Sequence, residues 1–319
     1  MTDVNVAARK KTGRRWVRVL KRIAISLLVI LILLIYGVFP FMVGRFVTRA
    51  GTRPMDRNLT QTPSTYGAEY KDVQFVASDG VSLSGWLLPS RSKHVTIVYS
   101  HGLFRSRREL LERAVDFWKL GYGALLYDSR NHGDSGKAFV TLGYTERFDV
   151  EGAVKFLREQ APTDKIVSFG ISMGAAAALL AAAETPEIDA VIADSSFLSF
   201  QDTTSHHVRL LRLPAFPLAN ELRFFIQRNA GFDGRSLNPL EAVVKLGDRP
   251  AMFISAARDR RMPPSIADTL YQTSQSPKKD LLVIDGPQAD VHGHAYQANS
   301  QLYIQRVSAF LDWAIDSRA

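Results

Sequence analysis

Six short apolar runs alternate with longer segments of helical period. The runs lie near 95–100, 123–128, 165–169, 189–194, 250–255 and 280–285. The helical segments lie near 106–120, 145–160, 173–184, 263–274 and 300–316. Strand, helix, strand, repeated in this way, admits few solutions: a parallel sheet with helices packed on both faces. Two earlier runs, near 70–77 and 81–88, flank Ser78-Asp79-Gly80 and predict a hairpin. The expected fold is α/β, a mostly parallel eight-stranded sheet flanked by helices. Residues 69–319 are ample for one such domain with a full core.

One strand-to-helix junction carries chemistry. Lys165-Ile166-Val167-Ser168-Phe169 runs into Gly170-Ile171-Ser172-Met173-Gly174, and an alanine-rich helical run, Ala175 to Ala183, follows. A serine on so sharp a turn is held up from the sheet. Flanking glycines let strand and helix approach, and the helix N-terminus points N–H groups at the site. A serine hydroxyl is a weak nucleophile near neutral pH and needs a histidine to take its proton. That histidine needs an acid to fix its tautomer.

Partners follow in the chain order acid, then histidine. Asp259 lies just past the run Pro250–Ser255. The run Lys279–Ile284 leads to a loop holding His292 and His294, which share a face in extended chain, so only one is the base. Asp194 ends another apolar run and is a second candidate acid, or a turn residue. Asp285 reads as a turn residue before Gly286-Pro287. The oxyanion donors expected are the N–H of Met173 and that of Leu103, in the His101-Gly102-Leu103 loop. The chemistry needs no cofactor. The chain has no cysteine, which removes a thiolate nucleophile, and no metal-ligand spacing is evident.

The chain resembles the α/β-hydrolase superfamily of serine hydrolases, and within it the bacterial membrane-anchored hydrolases related to the ABHD proteins. The likeness rests on Ser100-His101-Gly102, the Tyr127–Gly136 run, the turn at 170–174, Asp259, and His292-Gly293-His294-Ala295-Tyr296 ahead of Tyr303. It covers roughly residues 70 to 316. It implies a catalytic triad of Ser172, His292 and Asp259, with His292 preferred because in similar sequences the base precedes a tyrosine by four residues. It departs from the pattern at Ala256 and Ala257, where a glycine is usual, and in the basic pair Arg260-Arg261. The expected substrate is a small-molecule ester or lipid-like ester. A thioesterase or amidase would use the same triad, and a non-catalytic binding module is the alternative of another class. The Asp128–Gly136 run reads as a structural loop with Arg130 and His132 near the site. Arg105, Arg107 and Arg108 read as a solvated helix start, with substrate contact as the alternative, and His206-His207 as surface.

The N-terminus carries the second signal. Ile23 to Val43 is almost unbroken in apolar character, and its 21 residues suit a helix crossing a hydrocarbon core of about 30 Å. Eight basic residues precede the span and four, more widely spaced, follow it through Arg57. The expectation is a basic cytoplasmic tail over 1–22, a retained transmembrane anchor over 23–43, a tether over 44–68 and an extracytoplasmic domain. Residues 1–57 carry 12 basic and 2 acidic residues, whereas the remainder carries 28 and 29, so the net charge of +9 belongs to the anchor. Nucleic-acid binding is therefore not expected. Residues 196–249 hold enough apolar side chains for a lid, or for an ordinary pair of core helices.

Overall fold

The computed structural model describes residues 3–315, with side chains from residue 15 onward. The first two residues of the expected tail, residue 316 of the last predicted helix and the end of the expected domain lie outside the described residues.

Helix α1, Asp3–Leu33, passes through one π-helical turn, Leu34–Val38, into α2, Phe39–Thr48, and a single turn α3, Pro54–Arg57, follows. The strands are β1 Lys71–Val76, β2 Ser82–Leu88, β3 Val95–Ser100, β4 Gly123–Tyr127, β5 Lys165–Ile171, β6 Ala190–Asp194, β7 Ala251–Ala256 and β8 Lys279–Ile284. Helices α4 Leu111–Lys119, α5 Arg147–Gln160 and α6 Met173–Glu184 alternate with them. After β6 come α7 Phe200–Leu210, α8 Ala215–Ala230 and α9 Pro239–Lys245. Then follow α10 Pro264–Thr273, α11 Ala295–Ala298 and α12 Ser300–Ala314.

The eight strands form one sheet in the order β1-β2-β4-β3-β5-β6-β7-β8. The β1–β2 and β2–β4 pairs are antiparallel and every later pair is parallel. Side chains alternate between two cores. On β6, Val191 and Ala193 face the layer of α5, α6, α9 and α10, while Ala190 and Ile192 face α4 and α12. Double coverage explains why β3, β4, β6 and β7 are buried at every residue. The C-terminal ends of β3, β5, β6, β7 and β8 share one edge, where an open α/β sheet places its site.

The N-terminal helix behaves differently along its length. From Trp16 to Leu34 its large apolar side chains are exposed. The described helix over Arg15–Thr48 contains an 18-residue window of mean hydropathy 2.8, long and apolar enough to cross a membrane. Pro40 has no N–H to donate to Tyr36. The chain absorbs the defect in the π turn, where the Phe39 N–H reaches Leu34 O. Beyond it Pro40, Gly44 and Thr48, spaced by four, are buried. A Cβ on Gly44 would stand 3.0 Å from Phe225 Cβ and 3.2 Å from the Ile226 backbone, so α2 and α8 touch almost backbone to backbone.

Residues 44–68 are therefore not an open tether. Arg53 N–H donates to Phe104 O at 2.9 Å, Thr52 Oγ1 to Arg105 O at 2.9 Å, and Val140 N–H to Thr48 O at 2.9 Å. The segment is stitched to the loops that border the site.

Candidate active site

Ser172 sits between β5 and α6 at φ 54° and ψ −113°, a backbone state disfavoured for a residue with a Cβ. Two glycines make the turn possible by close approach. A Cβ on Gly170 would lie 2.1 Å from Gly174 O, and one on Gly174 would lie 2.0 Å from Ser100 O. The strained residue is pinned by its own amide, which donates to Asp194 O at 2.9 Å.

His292, on the loop after β8, reaches back to the serine. Its Nε2 is 2.8 Å from Ser172 Oγ and its Nδ1 is 2.6 Å from Asp259 Oδ2. Asp259 follows β7 with its side chain wholly buried. Its other oxygen accepts the N–H groups of Arg261 at 2.8 Å and Met262 at 3.0 Å. Burial works to raise this carboxyl. The hydrogen bond and charge of His292, with the two backbone donors, outweigh it and hold Asp259 below its usual range. Of the basic pair Arg260-Arg261, it is Arg261 that serves the acid, through its backbone N–H, while the Arg260 carbonyl lies 2.8 Å from His206 Nε2.

Leu103 and Met173 border the same space and pack together. Among the described residues neither N–H has a protein acceptor. The loop bearing Leu103 is braced by two buried histidines. His101 Nε2 accepts the Ser129 N–H at 3.0 Å while its Nδ1 lies 2.8 Å from Gly102 O. His132 Nε2 accepts the Phe104 N–H at 3.3 Å while its Nδ1 lies 2.9 Å from Arg130 O. These contacts fix neutral tautomers with the proton on Nδ1. Burial pushes His101 down to about 4, and burial with the neighbouring His101 pushes His132 down to about 3.

The other candidates are placed elsewhere. Asp194 is fully buried and bonded to Arg113 at 3.2 Å, Tyr303 Oη at 2.9 Å and Ser195 Oγ at 2.9 Å; it feels the His292 charge, but the hydrogen bond to His292 Nδ1 is made by Asp259. His294 bonds Gln288 Oε1 at 3.1 Å. Asp285 is a surface partner of Arg258 and accepts the Gly286 N–H. Arg130 braces the Asp128–Gly136 loop through Asp79 and Asp149.

Two expectations need correction, and one residue of the site was missed. Arg107 is buried rather than solvated, paired with Asp128 and Asp134 and lying over Trp86. His207 is half-buried and lines the cavity, because α7 turns that face toward Ser172. Glu109, not singled out in the sequence, accepts the Gly102 N–H at 2.6 Å and pairs with Arg105 at 3.1 Å. Burial pushes its carboxyl up to about 7 against the pull of the Gly102 N–H and the Arg113 and His292 charges.

Ser172 opens into a cavity of about 420 Å³ with mostly apolar walls. Its walls include α7, α8 and the end of the N-terminal helix, with Leu103, Phe104, Leu142, Phe197 and Met262 from the surrounding loops. Within 196–249 the α7–α8 hairpin lines the cavity, whereas α9 packs into the core against α6. Among the described residues no group of three or more His, Asp or Glu is placed to hold a metal ion.

A doubly covered sheet, a strained serine at its C-terminal edge and esterase-type structural neighbours define a hydrolase, and the chain belongs to the α/β-hydrolase superfamily. Residues 91–246 match the family model described as serine aminopeptidase, S33. An esterase of Pyrococcus furiosus superposes with a TM-score of 0.67 at 28% identity, over 83% of this chain and 98% of that one. An uncharacterized protein of Bacillus subtilis is 29% identical over 267 residues, 82% of each chain. An uncharacterized membrane protein of Saccharomyces cerevisiae is 24% identical over 234 residues, 70% of this chain and 75% of its own.

Proposed function

We propose that this protein is a membrane-anchored serine hydrolase that cleaves carboxylic esters. The observation that carries the reading is the relay of 2.6 Å and 2.8 Å contacts from Asp259 through His292 to Ser172, which opens on an apolar cavity. The similarity to an archaeal esterase supports ester over amide.

In this reading Ser172 Oγ attacks the acyl carbonyl while His292 Nε2 takes its proton. Asp259 stabilises the imidazolium through Nδ1–H, and the Leu103 and Met173 N–H groups hold the oxyanion. The C–O bond to the leaving group breaks, and His292 returns the proton to the departing alcohol. Water then attacks the acyl-enzyme, giving up a proton to His292. Collapse releases the carboxylic acid and restores the serine hydroxyl.

The N-terminal helix is the anchor, with residues 1–22 on the cytoplasmic side and the hydrolase domain beyond the membrane. Its apolar length and the heavier basic charge before it favour this orientation. The test is a panel of p-nitrophenyl esters, an acyl thioester and an anilide offered to full-length protein in detergent. Ester cleavage that falls to background in Ser172→Ala supports the proposal. Undiminished cleavage by that variant, or preferred turnover of the thioester or anilide, counts against it.

A further inference from the structure

The N-terminal helix does more than hold the domain at a membrane. Phe39, Pro40, Val43, Phe46 and Val47, all from the end of that helix, line the same cavity as Ser172. Facing them are Val208, Leu211, Leu218 and Leu222 of the α7–α8 hairpin. The wall of the acyl cavity and the apolar span are one continuous helix.

The depth of that wall follows from helix geometry. No charged residue lies between Ile23 and Gly44, and Arg45 ends the stretch. Twenty-two helical residues rise about 33 Å, close to the hydrocarbon thickness. Phe39, Pro40 and Val43 therefore stand on the membrane side of Arg45, within about 9 Å of it along the axis. The hairpin is at the same level. Val208, Leu218 and Ala219 pack around Tyr36, three residues nearer the membrane centre than Phe39. Its tip exposes Leu210, Leu211, Leu213 and Phe216, the last at 77%. Arg209 and Arg212 are exposed on the same tip. Long stems let their guanidinium groups sit among phosphates while the neighbouring side chains enter the acyl region.

We infer that the substrate is a long-chain acyl ester dissolved in the membrane, and that it enters sideways between the end of the N-terminal helix and the α7–α8 hairpin. The acyl chain lies along Val43 and Phe39 with its carbonyl at Ser172, and never crosses bulk water. A soluble enzyme would hide such a wall. Here the wall is a continuation of a surface that is already exposed and apolar, so the chain leaves one apolar medium for another and desolvation costs little. The inference rests on the serine-hydrolase reading and deepens it.

The test uses full-length protein in phosphatidylcholine vesicles. p-Nitrophenyl palmitate is placed either in the same vesicles or in separate protein-free vesicles, and p-nitrophenyl acetate is supplied in water. Sideways entry predicts palmitate cleavage about tenfold or more faster from the protein's own vesicles. Val43→Trp fills the cavity and should lower the palmitate-to-acetate ratio of kcat/KM by about tenfold or more. Equal rates from both vesicle populations, or a ratio unmoved by Val43→Trp, overturn the inference. Fluorophosphonate labelling separates this from failure of the parent reading. A wild-type protein labelled at Ser172 with an unmoved ratio loses only the membrane route, whereas an unlabelled wild type loses the hydrolase reading and the route with it.

Discussion

Glu109 accepts the Gly102 N–H at 2.6 Å, one residue before Leu103, which lines the cavity beside Ser172. The carboxylate ties down the loop, and its charge also acts on His292. In the proposed reaction a negative charge there would favour the imidazolium that forms as Ser172 attacks. Burial places this group near pH 7, so its influence must change across the neutral range. Below that pH it is mostly protonated and resembles a glutamine. Above it the charge appears. Glu109→Gln should therefore cost little in kcat/KM at pH 6 and about fivefold or more at pH 8.5. A constant ratio of wild type to variant across that range would show that the charge is idle.

Asp259 and Asp194 are both buried acids near the nucleophile, and they should fail in different ways. Asp259→Asn leaves the packing but disrupts the proton arrangement on His292, and kcat should fall by about three to four orders of magnitude with little change in Tm. Asp194→Asn leaves the buried Arg113 guanidinium without its counter-charge. Breaking such a pair costs about 3 kcal/mol or more, so Tm should drop by about 6 °C or more. Thermal melts and steady-state kinetics on both variants separate the roles.

His132 is held neutral at a depressed pKa, which gives its contribution a definite sign. Below pH 6.5 the unfolded imidazole binds a proton that the folded one refuses, so folding stability is lost as pH falls toward 4. Against His132→Gln, which cannot titrate, wild type should lose roughly 2 kcal/mol of its relative stability between pH 7 and pH 5. Denaturant unfolding at the two pH values measures the gap, and a gap that widens on acidification contradicts the assignment.

A fragment beginning at Asn58 would lack α2. It would uncover the α8 face on which Gly44 and Phe41 pack, where Phe41 meets the Phe225 ring edge-on at 5.6 Å. It would also lack the five helix residues that wall the cavity. Such a fragment should self-associate on size-exclusion chromatography and lose long-chain ester cleavage. A monomeric fragment with full-length chain-length preference would mean that α2 is dispensable.

The sheet was legible because burial on both faces writes itself into the chain. All eight strands were expected within two residues of where they lie, and the turn at Ser172 was marked by glycines that no other residue can replace. What the sequence hid depends on contacts distant in the chain. The docking of α2 leaves only Pro40, Gly44 and Thr48 at a spacing of four, a trace easily lost within an apolar span. Arg107 and Glu109 sit in a charged run that looks solvated, and only the fold brings Asp128 and the Gly102 N–H to them. His207 was masked by polar neighbours on the other faces of α7.

The most direct test of the account is fluorophosphonate labelling of full-length protein in lipid vesicles, with the adduct located by peptide mass. A single phosphonylated residue is expected, Ser172, whose labelling disappears in Ser172→Ala and falls to the rate of an unactivated hydroxyl in His292→Ala. Labelling that persists unchanged in His292→Ala, or a folded wild type that stays unlabelled in both lipid and detergent, would contradict it.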